Sequence, residues 1–316
     1  MTSGPEHVEQ PPGRATPRRV TRLAVGHSSV MADDGTLLRA WTNDPEGRID
    51  GPTVVLCNGL GTGPWAWPGF FTDNPQVRVV SWYHRGVGGS AVPRDRDAVD
   101  MAAFATDAVS VMDHFGIARA VLLGWSMGVN TMYEVATQHP ERVSGLFAVC
   151  GVPGDTFATM LEPLRLPRWA SRAATRGVSR AVRQVGGLLT PISTRLPIGP
   201  RAVKVISHSG FMLPVPDEEM AALAIRDFLT TPLDWYFHLA VHSSKHPRVS
   251  LSKITAPAFF VAGRYDVLAG SRAMLSAAER MREAAYVELP STHFTQMEHP
   301  DVVHALLQEF IEEVDT

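Results

Sequence analysis

The chain has 316 residues, with 29 Lys and Arg against 32 Asp and Glu, so its formal net charge is −3. Hydrophobic residues make up 45% and charged residues 19%, the balance of a globular protein large enough to bury a sizeable core. Nothing in this balance points to nucleic acid as a partner, and no window approaches the roughly 18 apolar residues needed to span a bilayer.

Residues 1–21 are rich in Pro, Gly, Arg and polar residues and lack apolar periodicity, which predicts a disordered N-terminal tail. The pair Arg18-Arg19 raises the question of twin-arginine export. The segment that follows, Leu23–Ser29, is too short and polar for the apolar part of a signal peptide. We therefore predict a cytoplasmic protein.

Along the rest of the chain, short apolar runs alternate with segments of helical periodicity. This alternation predicts an α/β fold, a mostly parallel eight-stranded sheet flanked by helices. The first two strands have no helix between them and should form an antiparallel start. Strands are predicted at 22–27, 37–42, 53–57, 77–82, 119–124, 143–149, 257–262 and 285–289, and helices at 101–115, 127–139, 270–282 and 301–314.

The segment Gly124–Gly128 reads Gly-Trp-Ser-Met-Gly between a predicted strand and a predicted helix. A serine on such a sharp turn adopts strained backbone angles, and small neighbours let strand and helix approach closely. The turn lifts the hydroxyl of Ser126 clear of the sheet. This context makes Ser126 a candidate nucleophile.

A serine hydroxyl needs a base, and the base needs an orienting acid. Asp266 follows the predicted strand at 257–262, and His293 follows the strand at 285–289. All three residues therefore stand at the carboxyl ends of strands, the edge of a parallel sheet where sites assemble.

With these motifs in this order, the chain resembles the α/β-hydrolase superfamily from about Leu23 to its C-terminus. Two departures are visible: Asn58 replaces the family's usual histidine, and Tyr83 stands where an aspartate commonly precedes the arginine loop. The matching segments are Val55–Gly61 for the oxyanion loop, His84–Ser90 for the arginine loop, Gly124–Gly128 for the nucleophile turn, Ala262–Asp266 for the acid turn, and Thr292–Phe294 with Glu298–Pro300 for the histidine loop.

The resemblance implies a role for each matching residue. Ser126 would be the nucleophile, His293 the general base and then acid, and Asp266 the group that orients the imidazole. The backbone amides of Leu60 and Met127 would form the oxyanion hole. Asp155, just after the sixth strand, is a rival for the acid, although Asp266 has the better local motif.

The resemblance also divides the chain. Residues 22–152 and 251–316 would form the α/β-hydrolase core, and residues 153–250 a helical cap inserted after strand 6. The two cysteines, Cys57 and Cys150, would lie on non-adjacent strands, so we expect no disulfide and a reducing compartment.

Large apolar residues near the motifs and in the predicted cap are candidates for an apolar pocket, although such residues more often belong to a core. The candidates are Trp65, Trp125, Phe157, Phe211 and Met212.

The predicted cap is unusually basic. No acidic residue occurs between Glu162 and Asp217, whereas nine basic residues do, so this segment carries +9 and the rest of the chain −12. The arginines from Arg168 to Arg183 recur every three or four residues and form one helical face. Such a face can bind anionic lipid, an acidic partner or an anionic substrate. We favour a solvated face balanced by carboxylates elsewhere.

His238, His242 and His246 recur one helical turn apart beside an aromatic run. Two histidines at this spacing can bind zinc, but no acidic or cysteine ligand lies nearby in sequence. We therefore predict no metal and interpret this helix as lining or covering the pocket. The loop Arg85–Gly89 lacks the order of a nucleotide-binding turn, and no cofactor is predicted.

The function predicted from the sequence is a serine hydrolase that cleaves a carboxylic ester with a hydrophobic acyl or alcohol part through an acyl-enzyme. A thioesterase, a C–C bond hydrolase and an acyltransferase could use the same three residues. A ligand receptor or a catalytically silent scaffold is the non-enzymatic alternative. The sequence leaves the oligomeric state open.

Overall fold

A computed structural model describes residues 25–72, 75–158, 160, 167–247 and 249–315. The tail predicted for residues 1–21 lies outside this range. The described residues form an eight-stranded sheet in the order β1-β2-β4-β3-β5-β6-β7-β8. The strands are β1 Gly26–Met31, β2 Leu37–Thr42, β3 Thr53–Cys57, β4 Arg78–Trp82, β5 Ala120–Trp125, β6 Val143–Val149, β7 Ala258–Gly263 and β8 Ala284–Leu289.

The predicted fold class is confirmed. Strand β2 pairs antiparallel with β1 and with β4, and every other neighbouring pair is parallel. The antiparallel start arises because only a short turn separates β1 from β2, which leaves no room for a crossover helix.

Four helices cover the sheet, as the periodicity predicts. They are α1 Met101–His114, α2 Gly128–Gln138, α7 Ser271–Ala278 and α9 Pro300–Asp315, the last preceded by the short α8 Thr295–Glu298. Both faces of the central strands are buried: Leu122 and Phe260 belong to one apolar cluster, and Leu123 and Val261 belong to the other. A parallel sheet covered on both sides needs such continuous apolar strands.

Two predicted elements were wrong by several residues. Strand β1 runs from Gly26 to Met31 rather than from 22 to 27, because its register with β2 pairs Gly26 with Thr42 and Met31 with Leu37; residues 22–24 lie outside the described range. Helix α7 ends at Ala278 rather than residue 282. The chain must extend by residue 283, since the carbonyl of Glu283 accepts a hydrogen bond from the amide of Ala258.

Between β6 and β7 the structure contains helices, as expected. They are α3 Arg168–Ser193, α4 Pro200–Ser207, α5 Glu218–Leu229 and α6 Leu233–Ser243. Helix α3 continues through three glycines and packs closely against α6. A Cβ on Gly186 would lie 2.5 Å from the backbone nitrogen of Asp234, so only glycine permits this approach. Among the helices built from described residues, none has the length and apolarity required to cross a bilayer.

Candidate active site

The turn between β5 and α2 holds Ser126 in a left-handed backbone conformation, with φ of 56°. A non-glycine residue in this region is uncommon and costs on the order of 1 kcal/mol or more, so packing must hold it there. Its flanking glycines are a steric requirement: a Cβ on Gly128 would lie 1.8 Å from the carbonyl oxygen of Cys57, and one on Gly124 2.8 Å from Cα of Val129.

The structure brings Ser126, Asp266 and His293 together. Nε2 of His293 lies 2.8 Å from Oγ of Ser126, and Nδ1 lies 2.8 Å from Oδ2 of Asp266. Asp266 and His293 are buried, so water does not compete with their contact. The other carboxylate oxygen, Oδ1, accepts the amides of Leu268 at 2.7 Å and Ala269 at 2.9 Å, which fixes the plane of the Asp266 carboxylate.

This arrangement has a definite chemical capacity. An imidazole in contact with a hydroxyl can remove its proton, and a buried carboxylate on the far nitrogen stabilises the imidazolium that forms. The loop that carries the imidazole is itself fixed, because Nε1 of Trp125 donates to the carbonyl of His293 at 3.0 Å.

Leu60 and Met127 line the same cavity as Ser126. Met127 occupies the N-cap position of α2, so its N–H belongs to the unpaired donors of a helix start. Within the described part of the chain, neither backbone amide has a protein acceptor.

Asn58, noted above as a departure from the family's histidine, organises the loop before Leu60. Its Oδ1 accepts from the amide of Gly59 at 2.9 Å and from Nε1 of Trp67 at 3.0 Å, and its Nδ2 donates to the carbonyl of Gly63 at 3.1 Å. The buried side chain thus connects both ends of the loop. Sequence reasoning found the substitution but not this role.

Tyr83, the second departure, links the core to α5. Its hydroxyl donates to Oδ2 of Asp227 at 3.3 Å. Burial raises the pKa of both groups above their ordinary values, and their mutual contact satisfies them away from water.

The rival acid Asp155 is held elsewhere. Its carboxylate forms a bidentate ion pair with Arg172 on α3, at 2.9 and 2.6 Å. The imidazole of His293 faces Asp266 instead.

A cavity of about 540 Å³ opens above Ser126 and His293. Of the predicted pocket residues, Trp125, Phe157, Phe211 and Met212 line it. Trp65 does not: its ring packs against Phe71, with centroids 5.5 Å apart. Sequence reasoning missed several lining residues whose apolar character alone does not separate them from core, namely Ile206, Ile225, Phe228 and Leu268.

Helix α6 lines the cavity through Tyr236, Ala240 and Ser243, in agreement with the interpretation of this helix. Its histidines lie on another face. Nε2 of His238 and Nε2 of His242 lie 3.5 and 3.4 Å from Oδ1 of Asp97, an acidic neighbour that sequence proximity did not show.

These three side chains form a group that could hold a cation. Both ring nitrogens of His238 already have protein neighbours, however: the carbonyl of Arg96 lies 2.8 Å from Nε2, and Nη1 of Arg183 lies 3.4 Å from Nδ1. The geometry is therefore accounted for by hydrogen bonds between α6, α3 and the loop before α1.

Cys57 and Cys150 are both free and buried, and β5 lies between the strands β3 and β6 that lead to them. Burial raises the pKa of both thiols, which keeps them protonated and unreactive. Sγ of Cys150 lies 3.1 Å from Oγ1 of Thr295, beneath the histidine loop.

Comparison with known proteins agrees with this fold. A sequence model of the alpha/beta hydrolase fold family matches residues 52–196. Among curated proteins, "Probable oxidoreductase EphD" from Mycobacterium tuberculosis is 25% identical over 291 residues, covering 85% of this chain and 47% of that protein. Epoxide hydrolase B from the same species is 31% identical over 137 residues, covering 39% of this chain and 37% of that protein. The chain thus spans about half or less of these relatives.

Solved structures match nearly the whole chain. An esterase from Exiguobacterium antarcticum has a TM-score of 0.67 at 16% identity and covers 90% of this chain and 99% of its own. An enol-lactonase from Burkholderia xenovorans has a TM-score of 0.65 at 20% identity and covers 90% of this chain and 100% of its own. At such identities the likeness concerns the fold. The chain therefore has the α/β-hydrolase fold, and the matched family model together with the sheet order supports the α/β-hydrolase superfamily.

Proposed function

We propose that this protein is a serine hydrolase that cleaves carboxylic esters with a hydrophobic acyl or alcohol part. The observation that carries the proposal is the chain of 2.8 Å contacts from Ser126 through His293 to Asp266, opening into an apolar cavity of about 540 Å³. Few other arrangements bring a hydroxyl, an imidazole and a buried carboxylate into line at a cavity wall.

In the proposed mechanism, Oγ of Ser126 attacks the ester carbonyl while Nε2 of His293 takes the hydroxyl proton. The oxyanion of the tetrahedral intermediate accepts hydrogen bonds from the amides of Leu60 and Met127. One such donor typically contributes about 3 kcal/mol to transition-state stabilisation. The imidazolium then protonates the departing alcohol, and the acyl group stays on Ser126.

Deacylation reverses these roles. A water molecule enters in place of the alcohol, His293 takes its proton, and attack on the acyl carbonyl regenerates the Ser126 hydroxyl with release of the acid. Asp266 keeps the imidazole in the tautomer that receives the proton at Nε2. This role requires a permanent acceptor at Nδ1, which the two amides on its other oxygen help to hold in place.

The helical insertion supports an apolar substrate. In our proposal residues 153–250 are a cap over the core formed by 22–152 and 251–316. Helices α4, α5 and α6 each contribute lining side chains, such as Ile206, Phe228 and Tyr236. The similarity to epoxide hydrolase B does not extend the proposal to epoxides, since superfamily members with that activity use aspartate where this chain has Ser126.

The test is turnover of p-nitrophenyl esters from acetyl to palmitoyl, with fluorophosphonate labelling of the folded protein. We expect labelling at Ser126 that is lost in Ser126→Ala. We also expect Asp266→Asn to lower kcat by about a thousand-fold or more, because an amide cannot stabilise the imidazolium.

The matched control is Asp155→Asn, which alters the rival acid and should leave kcat within a few-fold of wild type. Absence of a Ser126 adduct would favour a receptor or silent scaffold. Turnover of acyl thioesters or of C–C bonds beside a carbonyl in preference to esters would move the assignment to those alternatives.

A further inference from the structure

Helix α3 turns an apolar face to solvent. Val178, Leu188 and Ile192 are 62%, 80% and 63% exposed, and the side chains between them on the same face are exposed as well. Spacings of three, four and seven residues place this set on one side of a helix. We call it the apolar stripe: Val178, Val185, Leu188, Leu189 and Ile192.

The opposite face of α3 is the one that packs on the protein, and it is made of small and polar residues. Ser179 and Gly186 are buried there. Arg172 binds Asp155, and Nη2 of Arg176 donates to the carbonyl of Ser244 at 2.9 Å. The helix is therefore inverted relative to an ordinary surface helix, which buries its apolar side. Contiguous exposed apolar surface of this kind marks an interaction site.

The basic residues of this segment fall into two groups. Carboxylates outside the segment pair with Arg172 and Lys204, in line with the interpretation that carboxylates elsewhere balance it, and a backbone carbonyl accepts a hydrogen bond from Arg176. Arg180, Arg195 and Arg201 remain exposed, and within the described range no carboxylate lies within ion-pair distance of them. Residues 163–216 contain no acidic residue, so the unpaired charges of this segment are positive.

The insertion that carries the stripe also lines the cavity. Phe211 lines the cavity and is 47% exposed. On α4, Ile206 lines the cavity while its neighbour Val205 faces solvent. Apolar side chains thus continue from the exterior of the insertion to its interior.

We propose that the apolar stripe, together with Arg180 on the same helix and Arg195 and Arg201 in the residues that follow it, docks onto the surface of an anionic lipid bilayer. The apolar side chains enter the boundary between headgroups and acyl chains, and the guanidinium groups contact lipid phosphates. Resting on the proposed function, the inference extends to the substrate: a lipophilic ester leaves the bilayer and enters the cavity past Phe211.

Charge favours a bilayer over a second copy of this chain. A symmetric dimer through the stripe would bring together two copies of a segment whose unpaired charges are all positive, which opposes association. An anionic bilayer instead offers negative headgroups above apolar chains, and both features of the α3 surface are then complemented at once.

The experiment is flotation of the full chain with vesicles of 30% phosphatidylglycerol in phosphatidylcholine, compared with phosphatidylcholine alone. We expect at least ten-fold more binding to the anionic vesicles, and a decrease when salt is raised from 0.1 to 0.5 M, because the headgroup attraction is screened. The variant V185S/L188S/I192S should lose at least ten-fold of this binding, and R180Q/R195Q/R201Q should lose the preference for anionic lipid.

Matched controls change exposed residues of the same kinds elsewhere on the surface. M31S/V92S/V302S and R94Q/R272Q/R282Q should bind anionic vesicles as wild type does. Circular dichroism and thermal midpoints establish that all variants are folded, and turnover of p-nitrophenyl butyrate without vesicles should be unchanged in them.

Three outcomes would overturn the inference: equal binding to both vesicle types, loss of binding in the controls equal to that in the stripe variants, or no vesicle binding at all. A wild-type dimer in light scattering that becomes a monomer in V185S/L188S/I192S, without vesicle binding, would assign the stripe to a second copy. Vesicle binding without ester turnover would refute the proposed function and leave the docking surface standing, whereas turnover without binding would do the reverse.

Discussion

Two buried asparagines show how a single side chain can hold a loop. Asn58 makes three hydrogen bonds within the loop that carries Leu60, and Asn43 makes three to the backbone of Phe70, Val77 and Val79. Both are buried and fully engaged, but only Asn58 adjoins the candidate oxyanion hole. Substituting each asparagine in turn therefore distinguishes an effect on stability from an effect on catalysis.

We predict that Asn58→Ala lowers kcat for ester turnover by about ten-fold or more with little change in KM, because the Leu60 amide loses its fixed position. Each variant should also lose about 2 kcal/mol in free energy of unfolding, since buried donors lose their acceptor. Steady-state kinetics and urea unfolding check both expectations. Asn43→Ala is the matched control, and an equal loss of kcat in both variants would contradict the role given to Asn58.

At the scale of elements, two neighbouring glycines of α3 differ in their structural role. From sequence, Gly186 and Gly187 both weaken a helix. In the structure, Gly186 lies against the backbone of Asp234, whereas a Cβ on Gly187 would meet nothing within 4 Å. The first is required by packing, and the second is a cost in helix propensity alone.

Gly187→Ala should therefore raise the free energy of unfolding by about 0.5–1 kcal/mol, the usual gain of alanine over glycine within a helix. Gly186→Ala should lower it, because the added methyl collides with the start of α6. Chemical denaturation of the two neighbouring variants tests this directly. Equal effects of the same sign would mean that α3 does not pack on α6 as described.

Some element boundaries follow from the local sequence, and others depend on tertiary pairing. Strands at 37–42, 53–57 and 143–149 coincide with prediction because their apolar runs end where the strands end. The start of β1 and the end of α7 do not coincide, because pairing with β2 and with β7 decides them. Periodicity in the sequence predicts that an element exists, but pairing with a neighbouring strand decides where the element begins or ends.

At the scale of the whole molecule, a buried imidazole ties stability to pH. His84 follows β4 and packs edge-on against Phe104 of α1, with ring centroids 5.0 Å apart. Burial lowers its pKa to about 4, so the native protein holds it neutral. The unfolded chain takes up a proton at the ordinary pKa of about 6.5. Between these values the unfolded state binds more protons, and the free energy of unfolding must rise with pH.

We predict that His84→Leu removes up to about 3 kcal/mol of this pH dependence, the free energy that corresponds to the lowered pKa. Urea unfolding at pH 4.5 to 7.5 measures it. At pH 7.5 the difference in free energy of unfolding between variant and wild type reports packing alone. As the pH falls, wild type should lose stability relative to the variant. Parallel curves for the two proteins would show that His84 is not buried in the folded state.

The sequence by itself determined the order of the elements, the fold class and the candidate residues Ser126, Asp266 and His293. Those signals are local: apolar periodicity and the small residues of a tight turn lie within a few positions of one another. The tertiary structure decided the partners, because the contacts join residues 27 and 167 positions apart. It set Asp266 rather than Asp155 against the imidazole, joined Asp97 to the histidines of α6, and turned the apolar face of α3 outward. A local sequence pattern cannot predict these outcomes, because tertiary packing decides which surfaces are buried.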